Sequence, residues 1–296
     1  MTERDIDMVL ELSRTGNITR AAENLFTTQS ALTKRLQKLE GELGCPLFLR
    51  SRRGIILNSA AEAILPELLN IRNSLRAVHN RAAAFTDEVS GTLEIGVSVN
   101  YARFRLPPIL KKYMTAYPKV AIHVSADQSQ SLYRRLTNGE LSIAIIRGNF
   151  RWDNGDVLLS EEPVCSVVSK GSAAVPLRNL PLISRRSDRE FEEQFARWQK
   201  EQDLGSSQYR LRVNDIATCL SMVQSGIGWA VLPEICLHDF DGIIKPLYFS
   251  DGTPFTRTTH LLYRQEYYDL PQFRLFLQAI LKEEYHQEAR IVDSET

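Results

Sequence analysis

Apolar side chains near the start of the chain recur at helical spacing in two segments that a short turn separates. The first predicted helix covers residues 19–25 and turns Ala21, Ala22 and Leu25 inward. The second predicted helix carries a single apolar stripe, formed by Leu32, Leu36, Leu39 and Leu43. Because alanines allow two helices to cross closely, this pattern predicts a pair of helices packed across a turn.

Residues that favour helix ends bracket both segments. Asn17 or Thr19 can cap the first helix, because a side-chain oxygen at that position accepts a hydrogen bond from a free backbone N–H. Thr27 or Thr28 can cap the second helix in the same way, and Pro46 ends it. Both helices are therefore expected to be short and well delimited.

The face of the second helix opposite the apolar stripe is polar and carries short side chains. Side chains of this kind donate and accept hydrogen bonds toward base edges and phosphates, and they let a helix lie deep in the major groove. At about 100° per residue, we expect this face and its N-terminal flank to contact DNA. The residues concerned are Thr28, Gln29, Ser30, Thr33, Lys34 and Gln37.

Two short strands are predicted after this helix, at residues 47–50 and 55–57. Arg50, Arg52 and Arg53 lie at the tip of the resulting hairpin, where they suit phosphates or a narrow minor groove. Taken singly, these pieces also fit a small helical domain with a solvated basic loop. In this order they predict a mainly α winged helix-turn-helix domain over residues 1–58 that binds double-stranded DNA.

A long helix is predicted from residue 59 to residue 89, opening at Ser59 and Glu62 with the spacing of a capping box. Its apolar residues repeat with a period of about 3.5, which makes a narrow seam for a partner helix. The seam consists of Ile64, Leu68, Ile71, Leu75, Val78, Ala82 and Phe85. Packing of this linker helix on its own domain is the alternative to a dimer, and Pro66 can bend the helix.

Strands and helices alternate from residue 91 onward, which is typical of parallel sheets with crossover helices. The predicted strands are 92–97, 120–125, 141–146, 163–169, 181–184, 209–213, 229–232 and 258–264, and the predicted helices are 104–117, 131–138, 189–201, 216–225 and 270–286. Two crossings divide residues 90–296 into lobe I (91–162 and 266–296) and lobe II (163–265). This predicts a two-lobed α/β domain like the periplasmic binding proteins, which take small molecules between their lobes.

Ligands gather where the strands of such sheets end, and polar residues follow several of the predicted strands. Hydroxyls and amides beside helix N-termini suit a small anion, and an arginine can pair bidentately with a carboxylate. The candidates are Ser98, Asn100, Tyr101, Gln128, Ser129, Arg147, Ser184 and Thr218. Helix caps and solvated polar groups are the alternative for each, and Arg147 can instead bridge the lobes.

The 296 residues are 43% hydrophobic and 24% charged, which is ordinary for a globular protein of two or three units. The formal net charge is zero, but residues 14–58 hold eight lysines or arginines against three acids, so positive charge concentrates at one end. The four cysteines lack paired spacing, which indicates a reducing cytosol and buried thiols, with a redox-sensing thiol as the alternative.

Signatures of other protein classes are absent from the sequence. It contains no phosphate-binding loop, nucleophile elbow or zinc-peptidase motif, and its five histidines lack metal-ligand spacing, so we expect no enzyme, cofactor or metal. The first residues lack the apolar run of a secretion signal, and no stretch reaches about eighteen apolar residues. A cytoplasmic location without membrane contact is the expectation.

The sequence resembles the LysR-type bacterial transcriptional regulators along its full length. The pieces that carry the resemblance are GNITRAA at 16–22, QSALTK at 29–34, LEGELG at 39–44, PLF at 46–48 and GIGWAVLP at 226–233. The chain departs from the family pattern at Asn58 and Ala61, where a threonine and a glycine are usual, and at Ser142, where an aspartate is usual.

The resemblance implies an effector-responsive regulator that binds a promoter, assembles as a dimer or a dimer of dimers, and works with RNA polymerase. It places Gln29, Ser30, Thr33 and Lys34 on the recognition helix and Arg53 on the wing. It also implies effector positions at Ser98, Gln128 and Ser184. Two other functions stay open: a winged-helix protein whose C-terminal module only oligomerises, and a small-molecule-binding or enzymatic α/β protein with an accessory helical domain.

Overall fold

The protein is described by a computed structural model over residues 1–51, 54–83, 88–185, 187–204 and 209–294. Its chain forms two compact units. The first consists of residues 1–92 with 137–140, and the second consists of residues 93–136 with 141–296. Arg52, Arg53 and Phe85 lie outside the described residues, as does the side chain of Arg50.

The first unit opens with helix α1 (Glu3–Thr15), which was not predicted. The Asp5 carboxylate accepts hydrogen bonds from the Thr2 backbone N–H (2.6 Å) and hydroxyl (2.8 Å), a cap that starts the helix. Ile6, Val9 and Leu12 are buried, and with Met8 they form the centre of the core of this unit. Helix α1 therefore supplies the surface on which the predicted helix pair packs.

The predicted helix pair is confirmed as α2 (Ile18–Asn24) and α3 (Gln29–Leu43). Asn17 caps α2 through the Arg20 N–H, and Thr28 caps α3 through the Ala31 N–H (3.2 Å). In the turn between the helices Phe26 has a φ of 52° and is 98% exposed. The predicted stripe of α3 is buried except at Leu43, which is 42% exposed because α3 ends there.

The hairpin that follows consists of strands β1 (Phe48–Ser51) and β2 (Gly54–Leu57), paired antiparallel. Its second strand is pinned to the end of α1, because the Ile55 N–H donates to the Gly16 carbonyl (2.9 Å). Gly54 has a φ of 127°, and a Cβ there would overlap the Gly16 carbonyl oxygen. Glycine is thus required for the hairpin to approach the body of the domain.

The linker helix α4 (Ser59–Ala83) is continuous through Pro66. Asn58 caps it, rather than the predicted Ser59: the Asn58 Oδ1 accepts from the Ala61 N–H (2.9 Å), while its Nδ2 donates to the Pro46 carbonyl (2.7 Å). Asn58 therefore joins the start of α4 to the loop after α3, which keeps the helix start ordered although the chain departs from the family pattern there.

The second unit is a two-lobed α/β fold with a curled mixed sheet in the order β10-β6-β11-β5-β3-β4, and β9 also pairs with β6. The strands are β3 (Gly91–Ser98), β4 (Val120–Asp127), β5 (Ile143–Arg147), β6 (Gly155–Ser169), β7 (Leu182–Arg185), β8 (Tyr209–Val213), β9 (Ala230–Pro233), β10 (Gly242–Pro246) and β11 (Thr256–Tyr263). The helices are α5 (Val99–Phe104), α6 (Leu106–Ala116), α7 (Ser129–Thr137), α8 (Arg189–Glu201), α9 (Ile216–Gln224) and α10 (Pro271–Ser294).

Strand β6 pairs with strands of both lobes. Strand β6 is 15 residues long, so the predicted strand 163–169 is only its second half. Its first half pairs with β11, and its second half pairs with β9 and β10. Strand β10 and helix α5 were not predicted, and the predicted helix 104–117 corresponds to α6.

Candidate DNA-binding surface and effector cleft

The polar face predicted on α3 is open to solvent. Gln29, Ser30, Lys34 and Gln37 are exposed, and Thr33 is half-buried with its hydroxyl donating to the Gln29 carbonyl (2.8 Å). Thr28 is exposed as well, and its hydroxyl lies 3.2 Å from that of Ser30. This surface offers donors and acceptors along one side of the helix, as base readout requires.

Fewer basic side chains of the first unit are available to DNA than their number indicates. Arg35 of α3 pairs with Asp5 of α1 (2.6 Å) and so joins these two helices, while Arg14 pairs with Glu11 within α1 (2.6 Å). The Lys34 ammonium has no carboxylate within ion-pair distance among the described residues. Lys34 is therefore the cation of the polar face that remains available to a phosphate.

The seam predicted along α4 divides into two parts. Leu68 is buried in the core of the first unit, and Ile64 packs against that core. Further along, Ile71 is 39% exposed and Val78 is 63% exposed. Leu75 is half-buried and Ala82 is exposed. The first part of the seam thus packs on its own domain, while the second part presents apolar side chains to solvent.

The predicted effector residues on β3 and α5 have different surroundings. Ser98 ends β3 and is buried, and its hydroxyl has no hydrogen-bond partner among the described residues. Asn100 is half-buried. Tyr101 is 1% exposed, and its hydroxyl donates to Glu284 (2.6 Å), so this residue fastens α5 to α10 and is not available to an effector.

The other small polar candidates already have hydrogen bonds within the protein. The Ser129 hydroxyl accepts from the Arg147 N–H (3.0 Å), and the Ser184 hydroxyl donates to the Leu211 carbonyl (3.3 Å). Thr218 is exposed and bonded to Asp215, the cap of α9. Gln128 is exposed, with its backbone N–H on Asp127 (2.7 Å).

Arg147 bridges elements of the two lobes, which was the alternative to binding a carboxylate ligand. It is 5% exposed, and one terminal nitrogen donates to Glu162 in β6. The second Glu162 oxygen accepts from the backbone N–H of Ile235, which follows β9 (2.5 Å). Burial lowers the pKa of the Arg147 guanidinium, and the Glu162 carboxylate opposes that effect.

A cavity of about 200 Å³ lies between the lobes, with α5 on one side and α9 on the other. Arg103 and Phe104 line it from lobe I, and Phe104 also packs against the core of lobe II. Cys236 contributes to its wall, close to the buried Arg147. Arg103 and Phe104 were not among the predicted effector residues, although both follow the predicted strand 92–97.

Both units match families of known regulators. The family described as "Bacterial regulatory helix-turn-helix protein, lysR family" matches residues 4–62, and the "LysR substrate binding domain" matches residues 86–284. The chain belongs to the LysR family of bacterial transcriptional regulators. It is a DNA-binding regulator with an effector-binding domain, as the sequence predicted.

Known regulators align with this LysR-type regulator over nearly the whole of both chains. The Bacillus subtilis HTH-type transcriptional regulator YraN is 29% identical over 278 residues, covering 94% of this chain and 96% of YraN. YkuM of the same organism is 29% identical and covers 95% of this chain and 97% of YkuM. The crystal structure of CbnR, a LysR family transcriptional regulator, superimposes with a TM-score of 0.65 at 18% identity, covering 96% of this chain and 99% of CbnR. CbnR complexed with its target DNA gives 0.62.

Three of the four thiols of this LysR-type regulator, Cys165, Cys219 and Cys236, are buried and poorly placed for redox chemistry. Burial raises the pKa of Cys165 and of Cys236 to about 12, and that of Cys219 to about 11. Thiols of this kind stay protonated at neutral pH. Their burial supports the structural role predicted for them over a sensing role.

No group of three or more metal-binding side chains is found within the described ranges, and no helix there is long and apolar enough to cross a membrane.

Proposed function

We propose that this regulator reads promoter DNA through the polar face of α3 and changes its effect on transcription when a small anion binds between its lobes. Two observations support the proposal. The polar face, with Lys34 available, is exposed. The hydroxyl of Ser98 is buried without a partner on the lobe I side of the domain, and a buried polar atom of this kind needs a ligand or water.

We also propose that two chains pair through the exposed part of the α4 seam, and that the DNA-bound assembly contacts RNA polymerase. A dimer places two recognition helices on a two-fold related site. Ile71 and Val78 support this arrangement, because exposed apolar side chains one heptad apart on a helix favour a partner helix.

Replacing Lys34 with alanine is expected to weaken DNA binding and to reduce the slope of log affinity against log salt by about one per bound chain. The reason is that Lys34 lies on the proposed surface and has no ion-pair partner among the described residues. Gel shifts on duplex DNA from upstream of the protein's own gene, across a series of salt concentrations, measure the slope. The exposed Lys111 in α6 provides the control, since Lys111→Ala should change neither quantity. An unchanged slope for Lys34→Ala would exclude the proposed docking.

Replacing Ser98 with alanine is expected to remove most of the effector response and leave DNA binding intact. Losing one buried hydrogen bond weakens binding about tenfold. Transcription with purified RNA polymerase, with succinate, acetate or phosphate added, measures the response, and the gel shift measures DNA binding. Ser131→Ala is the control, because its hydroxyl is already bonded to Asp127 (2.7 Å). A normal anion response in Ser98→Ala would remove this residue from the effector site. The melting temperature of the wild-type protein is also measured with each compound. If no compound raises it, a C-terminal module that only oligomerises explains the protein's function better.

A further inference from the structure

Three arginines interact where the lobes meet, and only two of them have a carboxylate partner. Arg147 pairs with Glu162. Arg257, in β11, forms a two-pronged pair with Asp188 (3.0 and 2.5 Å). Arg185 ends β7 and interacts electrostatically with Arg147 and Arg257. No carboxylate lies within 4 Å of Arg185 in the part of the chain that the structure describes.

The surroundings of Arg185 make this charge costly. Its Nε is buried and lacks an acceptor among the described residues. The guanidinium lies 5.4 Å from the centre of the Phe191 ring, whose attraction is modest. Burial lowers the pKa of Arg185, and the neighbouring arginines act in the same direction. An arginine nevertheless stays charged at neutral pH, so Arg185 carries a positive charge that has no ion-pair partner among the described residues.

The carboxylates of Asp188 and Glu192 near Arg185 already accept hydrogen bonds from other groups. Asp188 binds Arg257 and caps α8 through the Phe191 N–H (3.0 Å). Although burial raises the pKa of Asp188, the hydrogen bonds from Arg257 outweigh it and hold that pKa below its usual range. Glu192 lines the same small cavity as Arg185, but its carboxylate accepts from the Ser187 N–H (3.1 Å).

We propose that Arg185 is the counter-ion for the anionic group of the effector, a carboxylate or a phosphate. This assignment rests on the proposed function. It gives Arg185 the role of pairing with the ligand's carboxylate, which the sequence suggested for Arg147. The side chain of Arg185 is half-buried with its Nε fully buried, and an oxyanion would supply both a counter-charge and an acceptor for that Nε. The void beside Arg185 measures about 30 Å³, roughly one water. Pairing therefore requires the surrounding side chains or lobes to shift, which couples binding to a change of shape.

The test compares Arg185→Met with Arg257→Met in the full-length protein. Without ligand, Arg185→Met should keep or raise the melting temperature, because a half-buried cation with no ion-pair partner among the described residues is removed. Arg257→Met should lower the melting temperature, because Asp188 loses its partner. Calorimetric titration with sodium acetate, succinate or phosphate, against sodium chloride at equal ionic strength, gives the dissociation constants and separates carboxylates from phosphate. Arg185→Met should weaken the preferred anion about 10- to 100-fold, while Arg185→Lys should recover part of the loss.

Wild-type affinity in Arg185→Met would overturn the assignment and leave the proposed regulator with its effector cleft intact. Failure of the wild-type protein to bind any of these anions would overturn both this assignment and the anionic effector. The gel shifts with Lys34→Ala test DNA binding separately, and neither result would change what they show. If Arg185→Met fails to fold, Arg185→Gln takes its place, and equal anion affinity in that variant has the same meaning.

Discussion

Replacing Glu162 with alanine is expected to lower the free energy of unfolding of the C-terminal unit by about 3–5 kcal/mol. The variant leaves the Arg147 guanidinium, which is 5% exposed, buried without its carboxylate. It also removes the acceptor of the Ile235 N–H. Removing one partner of a buried pair is costly because the other charge stays in the interior, whereas the pair itself is not strongly stabilising.

Tryptophan fluorescence measures this effect cleanly, because all three tryptophans, Trp152, Trp198 and Trp229, belong to the C-terminal unit. Urea unfolding of the full chain followed at this signal gives the change in free energy. The neighbouring Glu161 is exposed and bonded to the Thr256 hydroxyl (2.6 Å), so Glu161→Ala should cost about 1 kcal/mol or less. The double variant Arg147→Met, Glu162→Leu should recover most of the loss. A loss in Glu162→Ala as small as in Glu161→Ala would contradict the bridging role.

Local patterns predicted the DNA-binding domain well, since its elements depend on contacts between residues close in sequence. The caps at Asn17 and Thr28 and the stripe of α3 are examples. Helix α1 was missed although its signal is present: the Thr2–Asp5 cap precedes Ile6, Val9 and Leu12 at helical spacing.

The effector site was harder to predict, because partners distant in sequence decide what each polar residue does. Arg147 is engaged by Glu162, and Tyr101 is engaged by Glu284, 183 positions further along the chain. Nothing near either residue reveals these pairings. Ser142, a departure from the family pattern, bonds back to the Glu94 carbonyl through both its N–H and its hydroxyl (2.9 Å each).

Arg185 was missed for a simpler reason, a strand boundary displaced by one residue. The strand predicted at 181–184 made Ser184 its last residue, whereas the strand observed is Leu182–Arg185. Neighbouring residues of a strand point to opposite faces, so a shift by one exchanges the side chain that is nominated. Ser184 bonds to the adjacent strand, while Arg185 lies among the arginines where the lobes meet.

Replacing both Ile71 and Val78 with glutamate is expected to convert the proposed dimer into monomers and to weaken DNA binding about 10²- to 10⁴-fold. These residues are 39% and 63% exposed and lie one heptad apart on the seam of α4. In a two-fold related helix pair the substitutions introduce four carboxylates into an apolar contact, where like charges repel and lose hydration. A monomer engages one half-site only, so the gain from linking two binding events is lost.

The matched control is Ala63→Glu with Asn70→Glu, since these residues are also exposed, also seven positions apart and off the apolar seam. Both variants carry the same change in charge, so a general electrostatic effect on DNA binding appears equally in the two. Sedimentation velocity measures the assembly state, and gel shifts on a palindromic and a half-site duplex measure the affinity. Only the seam variant should lose its preference for the palindromic duplex. Dimers that persist in the Ile71, Val78 variant would place the contact between chains on another surface.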